Sequence, residues 1–412
     1  MNVVVVGGGI AGLAFALGLK QRGIRCTVFE AAPEIKPLGV GITLLPHAMR
    51  ELAALGLEPR LREVAIENTY NAFFNRYGQL IYKEARGKLA GYPYPELGIH
   101  RGNLHMVLLE AVTAQLGADF VRTNHHCTSV EQDDAGVTVH FKETTSGKPL
   151  ASARGDIAIA CDGVNSAIRK QFYPGDKLAF GGINMWRGTV RHKPILDGRT
   201  YIRVGSLDTG KMVIYPIVDK ADDQGNQLIN WVAELRRPNA GMNDWNQAGN
   251  LDDFFDVYKD WRFDWLDVAQ MISSTERILE YPMVDKDPVA RWTFGRVTLM
   301  GDAAHPMYPR GANGAAQAII DSRTLADLLT TASDPREALT AYEKARLEVT
   351  ANIVRTNRQH PPDFINTKVD ELSGGKPFAN IDDLISQEEL KRIADNYARI
   401  AGFSRDAVAL KS

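Results

Sequence analysis

Hydrophobic and polar positions along the 412 residues follow two different rhythms. Residues 3–6 are four valines in an unbroken run, as in a strand buried on both faces of a parallel sheet. Helical spacing follows over residues 13–20, Gly23 breaks it, and residues 24–30 read as a second strand. Further along, short strands and turns replace this strand–helix alternation. Residues 180–190, 200–204, 211–217 and 227–234 read as strands, with a smaller excursion of the same kind at 71–74 and 79–82. Residues 252–265 and 266–274 read as helices. The stretch 318–351 is helix-rich, with Leu325, Leu328 and Leu329 spaced for a buried face. A Pro361-Pro362 break follows, then an amphipathic helix over 386–400 in a charged tail.

Composition narrows the picture without deciding it. Hydrophobic residues make up 44% and charged residues 24%, as in soluble globular proteins. A net charge of -2 offers no basic field for nucleic acid. Cys26, Cys127 and Cys161 are too few and too scattered for a disulfide framework or a metal cluster, which fits a reducing cytoplasm. The opening valine run ends in glycines and lacks a basic leader, so it reads as a strand and not as a signal peptide. No apolar run is long enough to cross a membrane. The nine histidines lack metal-ligand spacing, and no Ser-His-Asp, H-E-x-x-H or P-loop pattern occurs.

Candidate chemistry starts at the glycines. Gly7, Gly9 and Gly12 match G-x-G-x-x-G between a strand and a helix. Gly7 permits the turn, Gly9 lets a pyrophosphate approach, and Gly12 lets helix and strand pack closely. Ile10 and Ala11 open the helix, whose free N–H groups favour phosphate. Glu30, followed by Ala31, ends the second strand where an acid would bond adenosine ribose hydroxyls. This motif binds either NAD or FAD.

Two further segments carry a family resemblance. Residues 156–169 contain Asp162-Gly163 and Arg169; residues 295–306 contain Gly301-Asp302-Ala303-Ala304-His305-Pro306. Together with Pro309-Arg310-Gly311-Ala312-Asn313-Gly314, they resemble the DG, GD and flavin-loop signatures of the class A, aromatic-hydroxylase type of FAD-dependent monooxygenases. Two positions depart from the family pattern: Ala160 replaces its usual glycine, and Asn313 stands where many relatives carry glutamine. The run Met185-Trp186-Arg187-Gly188 resembles the salicylate hydroxylase-like branch, and particularly its phenazine-acid monooxygenases.

The resemblance implies a fold of mixed α/β type: a Rossmann-like FAD domain as in p-hydroxybenzoate hydroxylase, an interleaved antiparallel substrate sheet, and C-terminal helices. FAD segments would span 1–70, 98–177 and 281–360. Substrate segments would span 71–97 and 178–280, with a tail at 361–412. It implies tightly bound, non-covalent FAD, with NADH or NADPH as a transient co-substrate because no second glycine fingerprint is present. Asp302 would meet ribityl hydroxyls, or else serve as a turn or helix cap. Asp162 and Arg169 would lie on the phosphate side, and Gly41 in a mobile loop over the flavin. Arg101 would contact the cofactor, with a surface charge at a helix start as the alternative. Pro309 would face the flavin from the substrate side.

For the substrate the aromatic positions Trp186, Tyr215, Trp231 and Tyr308 suit a flat ring, although any one of them reads equally as core. Arg187 is a candidate partner for a carboxylate or phenolate, or simply an edge-strand charge. His305 and Tyr215 are candidate helpers at a substrate hydroxyl; no catalytic base is certain. The implied reaction is hydroxylation of a small aromatic or N-heteroaromatic compound by NAD(P)H and O2 through a flavin C4a-hydroperoxide, with loss of the carboxyl group if the substrate is an ortho-hydroxy acid. Another FAD oxidoreductase on this fold and a non-catalytic flavin-binding module share the same motifs. The protein is expected to be a monomer or homodimer without nucleic-acid or membrane partners.

Overall fold

The computed structural model describes residues 1–237, 247–359 and 361–409. Its first sheet explains the valine run. Strand Asn2–Val6 lies between Arg25–Phe29 and Ile157–Ala160, parallel to both, and Val3 to Val6 are at most 2% exposed. A strand flanked by neighbours and covered on both faces has no polar side, so its sequence shows no alternation. The six-stranded order is Thr293–Phe294, Val297–Leu299, Ile157–Ala160, Asn2–Val6, Arg25–Phe29, Val121–Arg122. Only the Thr293–Phe294 edge strand runs antiparallel. Helices Ile10–Gln21, Arg101–Leu116 and Gly314–Thr331 share its core, through residues such as Leu13, Leu104 and Leu325.

The second sheet has eight strands, in the order Gln247–Ala248, Ile278–Asp285, Ala179–His192, Gln227–Arg236, Gly210–Val218, Thr200–Ser206, Tyr70–Phe74, Leu80–Ala85. All pairs are antiparallel except Thr200–Ser206 with Tyr70–Phe74. Alternation along each strand gives it two buried faces. The far face carries Trp186, Trp231, Met212 and Ile214 against Phe254, Tyr258 and Ile272. The near face carries Ile183, Met185, Val213, Tyr215, Ile217, Val232 and Met283, joined by Tyr308 from the flavin loop.

Of the two helices expected over 252–274, the second is present as Val268–Ser273 and the first is largely absent. The segment forms a 3-10 turn Leu251–Asp253, one helical turn Phe255–Tyr258, two short paired strands and a helix Val268–Ser273. Its aromatic residues serve as plugs for the far face: Phe254 stacks on Trp186 at 4.9 Å, and the Tyr258 hydroxyl donates to the carbonyls of Lys211 and Glu234. Packing against the sheet overrides the local helical period.

The tail is built in. Ile365, Val369 and Leu390 pack on Phe73, Ile81 and Tyr82 of the excursion strands, while Tyr397 and Phe403 pack on Leu45. Ser386 caps the Gln387–Ile400 helix by accepting from the Glu389 N–H. Among the described residues, no helix is long and apolar enough to cross a membrane, and no cluster of three His, Cys, Asp or Glu side chains could hold a metal.

Candidate active site

The glycine turn has the shape its sequence predicts. A Cβ on Gly7, whose φ is +107°, would lie 2.3 Å from the Cys161 carbonyl oxygen; one on Gly12 would lie 2.0 Å from that of Gly7. Gly9 faces open space. Glu30 is held by the N–H groups of Gly8 at 2.6 Å and Ala32 at 2.7 Å, which fix its carboxylate beside the turn. His105 anchors the turn from below, its Nε2 donating to the Gly8 carbonyl at 2.7 Å. Sequence reasoning missed this histidine; its one signal is a spacing of one helical turn after Arg101. Ile10, Ala11, Ala31 and Gly163 line the same cradle, each half-buried.

At the carboxyl end of Ile157–Ala160, Asp162 accepts from the Ala167 N–H through Oδ2. Its Oδ1 is buried without a partner, and burial raises its pKa. An orphaned acceptor in this position suits a cofactor donor. Asp302 follows Gly301, whose φ of +61° turns the chain at the end of Val297–Leu299. The Asp302 side chain is solvent-accessible. Desolvation raises its pKa, while His305 and Arg101 pull the other way. Arg101, exposed at the start of its helix, donates its backbone N–H to the Val40 carbonyl at 2.9 Å, and its guanidinium has no hydrogen bond to a described residue.

The sheet grips the loop that bears Gly41. Asn230 Oδ1 accepts from the Gly41 N–H at 2.8 Å, and Arg187 Nη2 donates to its carbonyl at 2.7 Å. Past Pro309, which is exposed, Gly311 and Ala312 take left-handed backbone with φ of +70° and +56°. The helix Gly314–Thr331 then begins without a side-chain cap, because Asn313 turns away to the Gly311 carbonyl and the Tyr397 hydroxyl. Its first-turn N–H groups are therefore open to an acceptor.

Four of the expected positions need correction. Arg169 is fully buried, and all five of its N–H donors are used: on Asp176, on the carbonyls of Ala303 and Ala304, and on that of Asp287. Nothing remains for a phosphate; Arg169 clamps the loop behind Asp302. His305 points away from the near face, into the interior. There it meets Asp321 at 2.6 Å, and Arg346 meets the other Asp321 oxygen at 2.7 Å. Burial would raise Asp321, yet these two partners hold its carboxyl below the usual range. Trp186 and Trp231 belong to the far face, where the Trp231 indole donates to Thr275. A one-residue step along a strand changes face, and aromatic content alone does not reveal which one.

The near face does bring Arg187, Tyr215 and Tyr308 together. Burial holds the Tyr215 phenol well above its ordinary pKa, against the pull of the nearby Arg187 charge. Tyr201, not singled out from sequence, stacks on Tyr215 with ring centres 4.7 Å apart. Its signal was available: Tyr201 and Arg203 are two apart on one strand and so share a face.

His47 lies behind the flavin loop, buried, with its Nδ1 unpartnered and Nε2 3.4 Å from Gln317. Burial first, then Arg50 and Arg346, push its pKa down to about 3 from an ordinary 6.5. The unfolded chain therefore binds a proton that the folded chain refuses. Stability is full above about pH 6.5 and falls by up to about 1.4 kcal/mol per pH unit between 6.5 and 3. Urea unfolding at pH 7 and 5 is expected to show this slope, reduced in His47→Gln; an equal slope in the variant would assign the acid sensitivity to other groups.

The doubly gripped glycine cradle, the orphaned Asp162 oxygen and the uncapped helix suit FAD, and with the aromatic near face they define an FAD-dependent monooxygenase of the aromatic-hydroxylase class. The chain belongs to the FAD binding domain family, whose model matches residues 1–188 and 275–357. It is 42% identical, over 87% of its length and 89% of the relative's, to phenazine 1,6-dicarboxylic acid hydroxylase PhzS of Lysobacter antibioticus. To 3-hydroxybenzoate 6-hydroxylase of Polaromonas naphthalenivorans it is 31% identical, with 87% of each covered. The crystal structure of Klebsiella pneumoniae HpxO with FAD and uric acid superposes with a TM-score of 0.78, at 25% identity over 97% of this chain and 96% of that one.

Proposed function

We propose that this enzyme hydroxylates a planar aromatic or N-heteroaromatic acid, with NADH or NADPH and O2 as co-substrates. The observation that carries this reading is the near-face group, in which a guanidinium and a buried phenol converge on one apolar wall. Bound FAD supplies the redox chemistry that passes electrons from the nicotinamide to oxygen. Overall, ring C–H, O2, NAD(P)H and a proton give ring C–OH, NAD(P)+ and water.

The chain's own residues bind, orient and dry the site. Gly7, Gly9, Gly12, Glu30 and Asp162 would hold the dinucleotide portion. Asp302 would take ribityl hydroxyls, and the N–H groups at Gly314 would face the pyrimidine edge of the flavin. Gly41, Arg101, Pro309, Ala312 and Asn313 would frame it. Arg187 would pair with the substrate carboxylate while Tyr215 donates its proton to a ring substituent. Met185, Met283 and Tyr308 exclude water.

The test is NAD(P)H oxidation and product mass with a panel of aromatic acids and uncharged phenols. Arg187→Met is expected to raise KM for acids about 10- to 100-fold, the range of a charged hydrogen bond, with little change for phenols. Equal effects on both classes would remove Arg187 from carboxylate recognition. A panel without any product heavier by one oxygen would count against the substrate class.

A further inference from the structure

A buried ion pair lies behind the cofactor cradle. Asp321 sits in the third turn of Gly314–Thr331, and Arg346 lies on the long helix Pro335–Gln359 packed against it. Both are buried, Asp321 completely. Arg346 Nε donates to Asp321 Oδ1 at 2.7 Å, and its Nη2 donates to Gln317 Oε1 at 2.6 Å. Asp321 Oδ2 accepts from the Gly301 N–H at 3.2 Å and meets His305 at 2.6 Å. Gln317 in turn donates to Asn313 Oδ1 at 3.3 Å, at the open start of the helix. The pair is thereby bonded to the turn that carries Asp302 and, through Gln317, to the helix start. Gly301 is also where three cofactor-facing ends meet. A Cβ there would lie 3.2 Å from that of Ala11, in the first turn of Ile10–Gln21, and 3.2 Å from that of Ala318.

Packing alone does not call for charge in this position. Two charges withdrawn from water are costly, and apolar residues of the same volume commonly serve a core as well. What the charges add is a field. Burial alone would neutralise Asp321, yet His305 and Arg346 hold its carboxyl below the usual range, so it stays ionised opposite a permanent cation. Both charges act through protein and not through water, where solvent and salt would screen them. Reduction of bound FAD places negative charge at the edge that the open helix N-terminus would face. Any fixed charge behind that terminus therefore weighs the reduced cofactor against the oxidised one. We propose that Arg346 and Asp321 are positioning residues whose opposed charges set the balance between reduced and oxidised FAD. Arg346 favours the reduced cofactor, Asp321 opposes it, and together they keep the Asp302 turn and the helix start in one register. This balance is independent of which ring is hydroxylated.

The experiment uses the FAD-loaded protein. Midpoint potentials are read by anaerobic reductive titration against a reference dye, and FAD affinity by fluorescence quenching. Arg346→Met is expected to shift the ratio of reduced to oxidised FAD affinity about tenfold against the reduced form. That is the scale of one unit charge acting across roughly 10 Å of protein, and it lowers a two-electron midpoint by about 30 mV. Asp321→Asn should shift the ratio about as far the other way, and the double variant, neutral again, should return close to the parent. Arg346→Lys keeps the charge but not the planar fork, so it should hold the potential while loosening FAD. Each variant is repeated in a His305→Gln background, so that a proton gained or lost at the imidazole cannot stand in for the charge removed. A merely structural brace predicts weaker FAD in both single variants, with potentials unchanged or shifted in the same direction, and that result overturns the proposal. Should Arg346→Met not fold, since it strands a buried carboxylate, Asp321→Asn and the double variant carry the comparison. Potentials that agree between those two overturn the proposal as well.

Discussion

Replacing Arg169 with methionine is expected to destabilise the protein by about 3–5 kcal/mol and to release FAD in the same step. The guanidinium is 0% exposed and joins three segments that are distant in sequence. It reaches Asp176 on its own side, the Asp287 carbonyl, and the carbonyls of Ala303 and Ala304 directly behind Asp302. Methionine fills much of the volume but leaves the two buried carbonyls of Ala303 and Ala304 without this donor and Asp176 with Lys286 alone. Lysine would restore the charge without the planar fork, so Arg169→Lys should recover only part of the loss. Urea unfolding of the apoprotein, followed by FAD titration through fluorescence quenching, separates the two readings of this residue. A clamp predicts that stability and FAD affinity fall together. A phosphate contact predicts near-normal apoprotein stability with affinity lost, and that result would restore the role expected from the motif.

Arg169 also shows where sequence reasoning stops. Motif order made the FAD fold legible: the valine run, the glycines at 7, 9 and 12, Glu30, and the Asp162 and Asp302 segments are local patterns with local physical causes. A side chain's direction is not local in that sense. Arg169 lies in the DG segment, but which of two interiors it enters depends on Asp176 and Ala304, whose places are set by tertiary packing. His305 and the two tryptophans fail for the same reason. Trp186 is adjacent to Arg187 on one strand, and neighbours on a strand face opposite ways, so both could not line one pocket. The tail was illegible because its helix has ordinary amphipathic spacing; only the folded chain shows that Tyr397 reaches the flavin loop.

That contact carries the second large effect. A methyl group on Gly311 would sit 1.8 Å from the Tyr397 hydroxyl oxygen and 2.4 Å from its Cζ, on backbone with φ of +70° that side chains rarely adopt. Tyr397 cannot readily give way, since its hydroxyl donates to Asn357 at 2.8 Å and accepts from Asn313 at 3.0 Å, and its ring meets Phe403. Gly311→Ala is therefore expected to cost about 1 kcal/mol for the left-handed backbone and at least as much again for the overlap. Because Asn313 precedes the open helix end, the flavin should also be held less firmly, with more free-flavin fluorescence at a given protein concentration. Tyr397→Ala removes the obstruction while also losing the three-way hydroxyl contact. The two changes act on one contact, so the double variant should be more stable than the sum of the singles predicts, by about 0.5–3 kcal/mol. Denaturant unfolding of all four proteins measures that coupling. Strict additivity would mean that loop and tail do not restrain one another, and the tail would then stabilise the excursion strands without setting the position of the flavin loop.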